Sequence, residues 1–409
     1  MKLDKNNRRA LVTAIIASGL DDFNVMFLAF SMSSIIADLG ISATQAGWIG
    51  TITNFGMLAG GLVFGVLADR HNKFNVFKWT VTIFTLATGF IFFAHNIYLL
   101  YILRFIAGVG VGGEYGVAIS IMAGIVPPSK MGRMSSINGI VGQVGSISSA
   151  ILAGFITPLF GWRGLFLLGF APILLMIWAH FAIDEDNILE RDIEAVVTSK
   201  EPGKISDLFA TKELTRQTLS LMVMTTVQIA GYFGMMNWLP TIMQEQIGVS
   251  VKDSSQWMVF TIIGMCIGMV VFGQLIDRVG PRLSYSLFLI MSAVSVYLFA
   301  FASSAWQMLL GGAIVGFFVN GMFCGYGAIT TRLYPYSVRT IANNTILNVG
   351  RALGGFSSVI IGMILDNSSV STVMFFLASL YIVSFIVMLS IPSLKAKNYN
   401  ALSDNRVYA

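Results

Sequence analysis

The hexapeptide Gly65-Val66-Leu67-Ala68-Asp69-Arg70 returns as Gly273-Gln274-Leu275-Ile276-Asp277-Arg278, 208 positions later in a chain of 409 residues. Each copy closes a long apolar run and opens a short basic loop. A phrase repeated at half the chain length constrains the fold to two similar halves. A second pair agrees: Arg133 and Asn138 recur as Arg339 and Asn344, both offset by 206.

The halves are too apolar for water. Hydrophobic residues make up 56% of the chain and charged residues 11%, about half the charge usual in soluble domains. A helix needs about 20 apolar residues to cross a bilayer. Such runs lie at 10–37, 44–68, 75–94, 98–126, 134–158 and 163–182, then at 216–243, 254–276, 282–302, 305–333, 341–365 and 370–391. The expected fold is an all-α integral membrane protein with twelve transmembrane helices in two pseudo-symmetric six-helix bundles. Residues 1–182 form the first bundle, 183–215 a charged cytoplasmic linker, 216–391 the second bundle and 392–409 a cytoplasmic tail.

Basic residues cluster on one side of these spans, from Lys2, Arg8 and Arg9 through Arg70, Lys73, Lys130 and Arg278 to Lys395, with little beyond Arg163 and Lys252 on the other. Positive charge stays inside. Both termini are therefore expected in the cytoplasm, with the chain multi-pass in the plasma membrane, a bacterial inner or cytoplasmic membrane. The net charge of +5 sits in loops and carries no nucleic-acid signal. Three scattered histidines and two cysteines within apolar runs lack metal-ligand spacing. Neither metal nor cofactor is expected, and no nucleophile–base pairing suggests an enzyme.

The charges that cannot be assigned to loops carry the chemistry. They are Asp21 and Asp22 in the first span, Arg104 and Glu114 in the fourth, and Arg351 in the eleventh. Each costs at least about 2.5–3.5 kcal/mol near the bilayer centre, so such residues are functional or mutually paired. Asp21 shares a helix face with Ser18 and Asn24, which favours it over Asp22 as the acid turned toward a polar cavity. Asp22 has the alternative of bonding a neighbouring helix. Arg104 offers a fork for a carboxylate, and Tyr115 falls on the same stripe; the rival reading is an arginine capping carbonyls near the outer surface. Glu114 lies beside Gly108, Gly110, Gly112 and Gly113, a run that most simply means close helix packing. It is either a partner for a basic residue or a second proton site. Arg351 could bind substrate or pair with Asp21 or Asp22. Gln228, Tyr232, Asn237, Trp238, Asn320 and Tyr326 could complete a binding site, or merely pack.

These residues resemble the major facilitator superfamily. The repeated hexapeptide resembles its G-x-x-x-D-R-x-G motif, with Asn72 where the second glycine is usual and Gly280 and Arg282 in place. Gly161-Trp162-Arg163, leading to Phe166 and Pro172, is similar to the family's start of the sixth span. The run from Arg104 to Glu114 resembles R-F-x-x-G-x-G-x-G-G-E of metabolite:proton symporters. Leu333-Tyr334-Pro335, Arg339 and Gly350-Arg351 resemble their E-L-Y-P…R…G-R segment, with Arg332 for the glutamate. Asp21-Asp22-Phe23-Asn24 is similar to D-G-F-D of the aromatic acid:proton symporters, with Asp22 and Asn24 departing from it. The resemblance implies gating roles for Asp69, Arg70, Asp277 and Arg278, and for Arg133 and Arg339 in the equivalent later loops.

The expected function is proton-coupled import of a small organic anion, an aromatic or other monocarboxylate, by alternating access. Proton coupling falls to Asp21, Asp22 and Glu114, with the proton as the sole coupling ion. The partners are the anion and the lipid bilayer, and a monomer suffices. A proton antiporter exporting drugs or metabolites shares the fold and the buried acids. A transporter-like sensor is a third reading, although the 33-residue linker (215 − 183 + 1) leaves no room for a signalling domain.

Overall fold

The structure is a computed structural model. It describes residues 4–126, 128–188, 204–335 and 338–399, with side chains also left undescribed at a few further positions, Asp69, Arg133 and Arg339 among them. The described residues are all-α. The helices are α1 (Lys5–Val25), α2 (Phe27–Leu39), α3 (Ala43–Arg70), α4 (Lys73–Phe90), α5 (Ile97–Ile125), α6 (Pro128–Leu167), α7 (Ala171–Ala182), α8 (Lys212–Ile247), α9 (Val251–Val279), α10 (Pro281–Phe299), α11 (Ala305–Gly321), α12 (Phe323–Leu333), α13 (Arg339–Gly354), α14 (Ser357–Asn367) and α15 (Val370–Leu389). The helix expected from residue 216 starts at Lys212, where Thr211 accepts from the Leu214 backbone N–H and caps it.

Among the described residues, eleven stretches are long and apolar enough to cross a membrane. One of them, Ile137–Ala182, is 46 residues long. At 1.5 Å per residue it would reach about 69 Å, twice a bilayer core of about 30 Å. Gly161 divides it, with φ 68° and ψ 178°, a conformation open to glycine and closed to helix. Two spans result, which brings the total to twelve. Hydrogen bonds from Arg163 and Trp162 hold the kink. Arg163 donates to Asp38 at 2.6 Å and to the Ala94 carbonyl at 3.0 Å, and the Trp162 indole N–H donates to Asp38 at 3.2 Å.

Three spans are interrupted midway: at Met26 between α1 and α2, at Met322 between α11 and α12, and at Gly355–Phe356 between α13 and α14. All three breaks lie within a turn or so of a membrane-embedded polar residue, namely Asn24, Asn320 and Arg351.

The residues fall into two compact units. The first holds α1–α7 with the short stretches Asn237–Thr241 and Val249–Gln256, and the second holds the remainder. In the first, α5 is pressed between α3 and α4. Residues two apart on a helix lie about 200° apart, so alternate glycines face opposite neighbours. Gly108 and Gly112 face α3, where an added Cβ would strike the carbonyl oxygens of Thr53 and Met57. Gly110 faces α4, against Thr80 and Phe84. On α3, Gly56 and Gly60 meet the carbonyls of Phe105 and Val109 in return. Two small-xxx-small ridges thus interlock backbone to backbone.

The second unit repeats the device. Gly264 and Gly268 of α9 meet the carbonyls of Ala313 and Phe317, and Gly316 of α11 meets that of Thr261. Gly264 and Gly268 lie 208 positions after Gly56 and Gly60, the offset of the duplicated hexapeptide. Substituting alanine at Gly112 should lower stability by roughly 1–3 kcal/mol through backbone displacement. Gly116, with nothing within 4 Å of an added Cβ, should accept alanine without loss. Thermal midpoints of the two variants in detergent, compared with the parent, test this.

Candidate functional site

Arg104 is four residues before Gly108, so it inherits the α5 face packed on α3. It is 2% exposed. Its Nε donates to Thr53 Oγ1 at 3.2 Å. The Thr53 hydroxyl donates in turn to the Ile49 carbonyl at 2.7 Å, which leaves its lone pairs toward the guanidinium. Among the described residues, no carboxylate lies within ion-pair distance of Arg104, and its two terminal NH2 groups have no hydrogen-bond partner. Arg104 lines a small cavity with Asn24, Val25, Thr53, Thr88, Ala107, Gly108 and Val111. Asn24 is 1% exposed. Its Nδ2 reaches the Gly169 carbonyl at 3.5 Å, while its Oδ1 has no hydrogen-bond partner among the described residues. A buried cation with spare donors and no counter-ion is costly unless something else supplies the charge. At about 10 Å³ the cavity holds no more than a water, so a carboxylate would reach the guanidinium only once these helices part.

The acids lie further along the bundle, with Glu114 ten residues after Arg104 on α5, about 15 Å along the axis. Glu114 is fully buried, and its Oε1 accepts from Ser18 Oγ at 3.2 Å. Its Oε2 has no hydrogen-bond partner among the described residues. Ser18 and Asp22 are four apart on α1 and share a face. Asp22 interacts electrostatically with Glu114 and lies against Gly142 of α6, where an added Cβ would meet Asp22 Oδ2. Neither Asp22 nor Glu114 has an ion-pair partner among the described residues. Asp22 and Glu114 thus influence each other electrostatically across α1 and α5, while the helix face favours Asp21 as the acid turned toward a polar cavity. Ser18 could not decide this from sequence, because its hydroxyl is claimed by a residue of another helix. Asp21 is buried on the adjoining face of α1.

Tyr115 does not join Arg104. It is 49% exposed and eleven residues further along α5, about 16 Å away along the axis. Thr53 and Thr88 belong to the Arg104 cavity and were not singled out in the sequence; only the packing of α3 and α4 on α5 brings them there.

In the second unit, Gln228, Asn320 and Tyr326 come together. Gln228 Nε2 donates to the Val319 carbonyl, beside Asn320, at 2.8 Å. Tyr326 Oη donates to the Met224 carbonyl, one turn before Gln228, at 3.2 Å. Gln228 Oε1 has no hydrogen-bond partner among the described residues. Asn237 is buried, Trp238 is fully buried, and Tyr232 is half-buried with its ring edge-on to Phe233. Arg351 is half-buried on α13, next to Gly350, which admits Thr225 of α8. Arg70, Asp277 and Arg278 are exposed at the ends of α3 and α9. The side chains of Asp69, Arg133 and Arg339 lie outside the described residues.

Residues 14–283 and 221–406 match the sequence profile of the Major Facilitator Superfamily. The chain belongs to that superfamily. A Haemophilus influenzae protein described as a metabolite transport protein is 34% identical over 401 residues, covering 97% of this chain and 98% of that one. In Acinetobacter baylyi, a cis,cis-muconate transport protein is 27% identical over 364 residues, 88% of each chain. A niacin transporter of the same organism is 27% identical over 367 residues, 83% of each. The fold matches the crystal structure of a D-xylose–proton symporter with TM-score 0.78 at 15% identity, covering 96% of this chain and 99% of that one. This member of the superfamily is thus a multi-pass membrane transporter and not an enzyme.

The state of Arg104 makes a stability prediction. Removing one partner of a buried ion pair costs about 3–5 kcal/mol. Arg104 has no such partner among the described residues, so Arg104→Gln should leave the thermal midpoint of the ligand-free protein unchanged or higher. A fall of many degrees would mark Arg104 as a structural support.

Proposed function

We propose that this transporter imports a small organic anion, an aromatic or other monocarboxylate, together with protons, by alternating access. The observation that carries the reading is Arg104: buried, without a carboxylate counter-ion, and facing a cavity in the same bundle as the Asp22–Glu114 pair. The names of the relatives, which include muconate and niacin transport, agree with a small acid as cargo.

The coupling follows from electrostatics. Proton uptake from the more acidic side falls to the Asp22–Glu114 pair, carboxylates held within membrane spans. Neutralising it removes negative charge from beneath the Arg104 cavity and favours the substrate carboxylate there. Loss of the proton on the alkaline side restores repulsion and expels the substrate. Asp21 adjoins this pair, and Gln228, Asn320, Tyr326 and Arg351 of the second bundle are further candidates for the substrate's remaining groups. The proton is the only coupling species invoked. The bundles 1–182 and 216–391 are the moving bodies, both termini face the cytoplasm, and one chain suffices.

The test is uptake by purified protein in sealed proteoliposomes with the interior alkaline. The probes are a pool of benzoate, hydroxybenzoates, gallate, nicotinate, muconate, lactate and sialic acid, read by mass spectrometry. One acid should accumulate, and faster as external pH falls. Arg104→Gln should reduce uptake efficiency at least about 100-fold, the scale of one charge-assisted bidentate contact. Glu114→Gln and Asp22→Asn should retain substrate exchange but lose accumulation driven by the gradient. The same loss in Asp21→Asn alone would return the coupling role to Asp21. If no acid accumulates, import of organic anions is wrong and export of cationic compounds is examined next.

A further inference from the structure

The segment that follows each bundle's last span folds back onto that bundle's copy of the duplicated motif. In the first unit, the Asn72 side chain donates to the Glu185 carbonyl at 2.9 Å, and Lys78 pairs with the Glu185 carboxylate. In the second, the chain after α15 makes a short 3-10 turn at Pro392–Leu394 and one further helical turn ending near Tyr399. Arg282 donates to the Leu389 carbonyl at 2.9 Å, and Ala396 sits so close to Gly280 that a Cβ there would collide with it. Gly280 corresponds to Asn72, since 72 + 208 = 280. Glu185 corresponds to Ser393, since 185 + 208 = 393, inside the second unit's turn. The two straps occupy equivalent places and use different chemistry.

Tyr399 anchors the second strap. It is 2% exposed, although Lys395 to Asn398 before it are exposed. The Arg332 guanidinium lies 4.8 Å from the centre of its ring and also hydrogen-bonds it. Burial raises the phenol above its ordinary pKa, outweighing the opposing pull of Arg332, so the ring meets the cation in its neutral form. The turn that ends at Tyr399 therefore lies against the α9–α10 junction through Ala396 and against the end of α12 through Arg332. Any movement of one helix end against the other must release this contact or carry it along. The arginine at 332, which departs from the family's glutamate, has a use here that glutamate could not serve.

We propose that residues 392–399 form a latch in which Tyr399, held by Arg332, restrains the α9–α10 junction of the duplicated motif. The proposal does not depend on the substrate or on proton coupling. The experiment is amide hydrogen exchange on the full-length protein in lipid nanodiscs, followed at 276–284 and 392–399. Tyr399→Ala should speed exchange in both segments about tenfold, the scale of losing a buried aromatic ring together with its cation–π contact. Arg332→Gln should do the same, and Tyr399→Phe, which keeps the ring face, should stay within about twofold of the parent. Unchanged exchange in α3 and α5 serves as the control that each variant is folded. The latch is refuted if Tyr399→Ala leaves both segments at parental rates. It is equally refuted if exchange quickens in 392–399 while 276–284 stays unchanged, because the tail would then restrain nothing.

Discussion

The contact on which the first bundle depends is backbone against backbone, between α3 and α5. Gly56, Gly60, Gly108 and Gly112 remove the side chains that would keep these helices apart. In a bilayer, where lipid is as apolar as leucine, such close approach supplies association through packing rather than through the hydrophobic effect. It also decides where the chemistry goes. With the 108/112 face turned to α3, Arg104 falls on Thr53, and the glycine at 110 turns the opposite side of α5 to α4.

Once that seam is formed, the polar residues have few places to lie. Among the described residues, the first unit encloses a cation without a counter-ion and, further along the bundle, two acids without a base. These groups are kept apart along α1 and α5 instead of neutralising each other, although a buried ion pair among them would lower the cost of burial. Stability alone does not account for that separation. The second unit buries neutral hydrogen-bonding groups, Gln228, Asn320 and Tyr326, around the contact of α8 with α11 and α12. The halves share a scaffold and diverge in electrostatics.

Divergence within a conserved frame also explains Asn72. Gly280 has φ +87°, where a side chain is strained, and closes its loop as a glycine must. Asn72 has φ −54° and uses its side chain to accept from the backbone of Phe74 and Asn75, capping α4. The first copy of the motif gains a helix cap and a donor for the Glu185 carbonyl where the second keeps a left-handed turn.

The sequence by itself determined the membrane-spanning helices, their number and the two-fold repeat, because apolar run length and a 208-residue offset are properties of the chain alone. It also marked Arg104, Glu114 and the pair at 21–22 as exceptional, since charge inside an apolar run is costly wherever the helix packs. Only the tertiary structure decided that Ser18 meets Glu114, that Thr53 and Thr88 share the Arg104 cavity, that Tyr115 does not, and that Arg332 is matched by Tyr399. Helical periodicity gives the direction of a side chain around its own axis. It does not say which neighbour stands in that direction, and each of these pairings is made by a residue from another helix or from the distant tail.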